Sequence, residues 1–74
     1  MSTPTEAIRE QLMAANQEYQ RLHDEHSRYA AQLDQLASKF YLTEREMLEE
    51  VRLKKLKLRV KDQMEMLVQQ ARSV

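Results

Sequence analysis

Apolar residues recur at alternating steps of four and three through the first half of this chain, and no other feature limits its fold so tightly. The series is Ile8, Leu12, Ala15, Tyr19, Leu22, His26, Tyr29, Leu33, Leu36 and Phe40, without a slip. Such spacing puts one stripe on one side of a helix and favours coiled-coil packing along its length. His26 is the polar member of the stripe, a position where a buried polar residue specifies register.

Composition points the same way. There is no glycine, and Pro4 is the one proline. Tight hairpin turns depend on glycine, so a β-sheet fold is excluded on practical grounds. Cysteine is absent, which removes disulfide frameworks and cysteine zinc sites and fits a reducing compartment. Seventy-four residues make a single domain near the size where one core barely suffices. Apolar runs are too short for a membrane span, and no signal peptide is evident. The expectation is an all-α protein of the cytoplasm.

Thr3-Pro4-Thr5-Glu6 reads as a helix start, with Thr3 as cap and Pro4 in the first turn. A second capping box, Thr43-Glu44-Arg45-Glu46, starts another helix, and Glu44, Glu46, Glu49 and Glu50 suit the positive end of its dipole. The chain is therefore expected to hold a first helix over about 4–38, a connector over about 39–43 and a second helix over about 44–72. Such a short connector returns the second helix antiparallel to the first.

On the second helix, Leu53, Leu56, Val60, Met64, Leu67, Ala71 and Val74 share one face. Pairing Tyr29 with Leu53, His26 with Leu56, Leu22 with Val60 and Tyr19 with Met64 gives residue numbers that add to 82 or 83. The series continues through Ala15 with Leu67, Leu12 with Ala71 and Ile8 with Val74, as an antiparallel seam requires. Met47, Leu48, Val51, Leu58 and Met66 fall on a different, nearly opposite face. They have no partner in this register and form a candidate self-interface. Two such hairpins would make an antiparallel four-helix bundle, as a dimer or within a tetramer. Another helical protein is the alternative occupant of that face.

Charge is segregated along the chain. Residues 1–50 carry five basic and ten acidic side chains, and residues 51–74 carry seven and two. Arg52, Lys54, Lys55, Lys57, Arg59 and Lys61 concentrate the positive charge and form a candidate anion-binding face. Lys54, Lys57 and Lys61 share one flank of the helix, while Arg52, Lys55 and Arg59 share the other. The expected register sets Lys57 and Lys61 opposite Glu25, Asp24 and Arg21, where part of that charge would be answered. No groove-reading motif or stacking aromatic accompanies the lysines, so nucleic-acid association ranks behind a structural role.

His23-Asp24-Glu25-His26 has metal-ligating residue types but no third converging ligand, so no metal is expected. No nucleophile, base and carboxylate have catalytic spacing, and two helices offer no concave site. The chain is expected to need no cofactor and not to be an enzyme.

The stretch Leu53-Lys54-Lys55-Leu56-Lys57-Leu58-Arg59-Val60-Lys61-Asp62 resembles the Leu-Lys-Lys-x-Lys-Leu-x-Leu-Lys-Asp signature of the YdcH-like proteins. Leu22, His26, Tyr29 and Leu33 match that family's first-helix pattern, and Tyr41-Leu42-Thr43 fits one branch of it. Val60 and Tyr29 stand where leucine is usual. The resemblance covers roughly residues 15–67. It implies a self-associating helical hairpin from a bacterial cytoplasm and belongs to a domain of unknown function.

Overall fold

The structure, a computed structural model, describes residues 4–73. The described chain is all-helical, in the order α1 (Pro4–Ala15), α2 (Gln17–Ala37) and α3 (Glu44–Arg72). Contacts between elements join chiefly α2 and α3, and α1 touches both.

The start of α3 follows from its capping residues. Thr43 Oγ1 accepts the Glu46 backbone N–H at 3.1 Å, and the Glu46 carboxylate accepts the Thr43 backbone N–H at 3.0 Å. Two otherwise orphaned donors are satisfied reciprocally. Lys39 adds an ion pair with Glu46 across the connector. Thr3, the cap expected for the first helix, lies outside the described residues.

The expected single first helix over 4–38 is instead two helices, broken at Asn16. Asn16 has extended backbone angles, φ −102° and ψ 112°, and its side chain accepts the Tyr19 N–H at 2.9 Å. Asparagine is a poor interior helix residue and a favoured N-cap, so the chain ends one helix and begins another on this residue. The Gln20 side-chain amide donates to the Met13 carbonyl at 2.8 Å, satisfying an acceptor freed at the end of α1.

The break turns α1 back over the other two helices. Arg9 forms an ion pair with Glu65 at 2.5 Å, where the uninterrupted register would have put it opposite residue 73 or 74. Arg9, Glu10, Met13 and Ala14 share a depression with Tyr19 and His23. A straight helix over residues 4–38 would be about 52 Å long, whereas the longest dimension of the molecule is 47 Å.

The core consists of Tyr19, Leu22, Leu36, Leu53, Val60 and Val68. Leu22 and Leu53 are 1% exposed and Val68 is 0% exposed. Of the expected seam pairs, Tyr19, Leu22, Leu53 and Val60 are therefore buried. The far end of the seam is not: Ala15 and Ala71 are exposed, so Ala15 with Leu67 and Leu12 with Ala71 do not form the expected closed layers, and Val74 lies outside the described residues. Ile8 and Leu12 are half-buried, as are His26, Tyr29, Leu56, Met64 and Leu67. Val68 was on neither expected face. On a helical projection it lies on the same flank as Glu65, which the Arg9 side chain of α1 reaches. Phe40, the last residue of the 4-3 series, is 99% exposed because α2 ends at Ala37.

Replacing Asn16 by alanine removes the cap on α2 and should lower stability by about 1 kcal/mol in chemical denaturation. Asn16→Asp should retain most of it. Unchanged stability in Asn16→Ala, with a gain in helical circular dichroism, would mean that the cap does not hold the break in place.

Candidate interaction surfaces

Three surfaces follow from this fold: the outward face of α3, the lysine-lined groove on its flank, and the histidines of α2. Met47, Leu48, Val51, Leu58 and Met66 are all exposed, Leu48 most of all at 72%. At about 100° per residue they cluster within roughly a third of the helix circumference. That arc lies opposite the buried residues Leu53 and Val60. Between the apolar positions the same arc carries Lys55 and Asp62, with Glu44, Glu65 and Gln69 toward its ends and edge.

The structure separates the six basic residues into different settings. Lys54, Lys57 and Lys61 line one open groove together with His26, Leu33 and Leu58. Lys54 lies 3.5 Å from Glu50, one turn earlier. Lys57 and Lys61 form no ion pair among the described residues. Their expected partners are otherwise placed: Arg21 holds Glu25 at 2.9 Å, and Asp24 lies 4.0 Å from His23. Arg52 is taken up by Glu49 through two contacts, at 2.5 and 3.1 Å, which hold the Glu49 carboxyl below its usual value. Lys55, on the outward arc, and Arg59, at its edge, are exposed, without ion pairs among the described residues. The expected neutralisation of Lys57 and Lys61 by α2 is therefore not found among the described residues, and Arg21, Arg52 and Lys54 pair instead within their own helices at i,i+3 or i,i+4 spacing.

His26 is half-buried at the floor of the lysine groove. Burial first, then the charges of Lys57, His23 and Lys61, hold its pKa below the ordinary histidine value. Its place in the seam was legible from the 4-3 spacing, but the groove was not, because it depends on which flank of α3 faces α2. Among the described residues, no three His, Cys, Asp or Glu side chains are grouped to hold a metal ion. Among the same residues, no helix is long and apolar enough to cross a membrane.

Compared with known proteins, this chain matches no family model, no curated sequence and no solved structure.

His26 makes stability depend on pH with a definite sign. A lowered folded-state pKa means that the unfolded chain binds the proton more readily. Stability should therefore be constant above the ordinary histidine range and fall as pH drops from about 7.5 to 5. His26→Leu should raise stability near neutrality and flatten that slope in thermal melts. An equal slope in wild type and His26→Leu would exclude His26 as its source. The carboxylates Glu46 and Glu49, also lowered, act only at more acidic pH.

Proposed function

We propose that this chain is a non-enzymatic helical interaction module that self-associates through the outward face of α3. The observation that carries this reading is an excess of surface. The accessible area is 6025 Å², against about 4,800 Å² for a compact monomer of this mass. The radius of gyration is 15.2 Å, where about 11 Å is usual for this length. The surplus, about 1,200 Å², is surface that an elongated set of helices leaves open, and it includes the exposed Met47, Leu48, Val51, Leu58 and Met66.

The apolar residues of that surplus surface are concentrated on α3, so a second copy is the preferred occupant. A dimer would bring four long helices together, and a tetramer would repeat the unit. The α3 stretch resembles the YdcH-like signature, and that resemblance supports a self-associating module of a bacterial cytoplasm.

Light scattering at concentrations spanning about a hundredfold tests this. Wild type should exceed the monomer mass of 8.9 kDa at the higher concentration. Leu58→Glu and Met66→Glu should remain monomeric at both, with unchanged helical content. A wild-type monomer throughout would overturn the reading.

The groove of Lys54, Lys57 and Lys61 favours a second reading, association with nucleic acid. Three phosphate contacts give a log-salt slope of about −2 on a single strand. Lys54→Glu and Lys61→Glu should flatten it. No binding of single-stranded DNA or RNA at low salt would dismiss this reading.

A further inference from the structure

The outward face of α3 has an internal order that selects one way for two copies to meet. Along the middle of that face, between residues 51 and 66, lie Val51, Lys55, Leu58, Asp62 and Met66. If two α3 helices are set antiparallel about an axis beside Leu58, the sequence becomes complementary to itself. Val51 of one copy faces Met66 of the other, and Lys55 faces Asp62. Leu58 meets Leu58 beside the axis. The paired numbers add to 117, or to 116 for Leu58 with itself.

Other registers are worse matched. Sliding one helix so that Lys55 meets Leu58 sets Asp62 against Val51 and sinks both charges among apolar side chains, which is costly. A parallel pair would stack Lys55 on Lys55 and Asp62 on Asp62, with like charges in contact. Within one copy, Lys55 and Asp62 are two turns apart on the same helix, about 10 Å along its axis. Neither has an ion pair among the described residues, so both are available to a second copy. Arg59 also lies near the axis, on the flank, three residues from Asp62 of its own helix.

We infer that the chain forms a two-fold symmetric dimer in which the α3 helices pair back to back and antiparallel, centred on Leu58 and fixed in register by two Lys55–Asp62 ion pairs. This rests on the self-association proposed above and specifies its partner and geometry. Because the face lies opposite the α2 contact, the helices stack in the order α2, α3, α3, α2. The square arrangement of a compact four-helix bundle is not formed.

Charge reversal tests the register in the full-length protein. Lys55→Glu alone turns both ion pairs of the dimer into carboxylate–carboxylate contacts with Asp62. Asp62→Lys alone turns both into ammonium–ammonium contacts with Lys55. Each should raise the dimer dissociation constant at least about tenfold. An equimolar mixture of the two variants should recover part of the affinity through mixed dimers, and the double variant, with the two charges exchanged, should self-associate like wild type. Because the chain has no cysteine, single thiols report the axis. Leu58→Cys copies should be joined by a short thiol crosslinker. Val51→Cys copies, about 22 Å apart along the axis, should not. A wild-type monomer would overturn self-association itself. A wild-type dimer would overturn only the register if neither reversal weakened it, if the double variant failed to recover, or if Val51→Cys crosslinked as readily as Leu58→Cys.

Discussion

The seam between α2 and α3 carries most of what holds this chain together, and it is thin. Two helices share one interface, and only six side chains among the described residues are buried, three of them fully. Burial of each large side chain contributes roughly 1.5–3 kcal/mol, while ordering each residue costs on the order of 1–2 kcal/mol. Turning α1 back adds burial where the seam would otherwise run out. It covers the end that holds Tyr19 and Val68, with Arg9 tied to Glu65. The connector end has no such cover among the described residues, and Phe40, Tyr41, Met47, Leu48 and Val51 are exposed there. Apolar exposure is therefore polarised toward the connector and the back of α3, which is where a further partner has most to gain.

The legible part of the fold was the part set by periodicity and caps. The 4-3 spacing marked Tyr19 and Leu22, the shared face of the second helix marked Leu53 and Val60, all four of which are buried, and Thr43 with Glu46 marked the start of α3. The break at Asn16 was missed because the apolar stripe passes it without losing phase: Ala15 and Tyr19 keep the spacing on either side. Periodicity records which face of a helix is apolar but is blind to a backbone that changes direction between two turns. The signal was Asn16 itself, a favoured cap, followed by Glu18 in the first turn. Val68 was missed because it was on neither expected face; it shares a flank with Glu65, which Arg9 of α1 reaches.

The charge pattern of the two halves was read correctly in sum and wrongly in detail. An acidic first part and a basic second part suggested pairing across the seam, but Arg21 with Glu25, Arg52 with Glu49 and Lys54 with Glu50 all close within one helix. Neighbours one turn apart meet at little entropic cost, whereas a pair across the seam needs the flanks to face each other. Among the described residues, Arg9 with Glu65 and Lys39 with Glu46 are the pairs that join different segments. These two sit at opposite ends of the seam and leave its middle to apolar packing. Lys57 and Lys61 stay without ion pairs among the described residues, and their charge bears on His26 instead.

The two functional readings are connected by symmetry. In an antiparallel pair of α3 helices, the two-fold axis runs perpendicular to both, so a given flank of each copy faces the same side of the dimer. The grooves lined by Lys54, Lys57 and Lys61 would then lie side by side on one face, with Arg52 and Arg59 on the other. Leu58 borders the groove and also stands at the proposed axis, so the grooves would approach each other closest where the copies meet. Neutralisation of phosphates is cumulative. A groove with three lysines is a weak anion site in one copy, and pairing would double its charge with no new residue. Self-association on this geometry would be the step that turns a solvated basic flank into an electrostatic face.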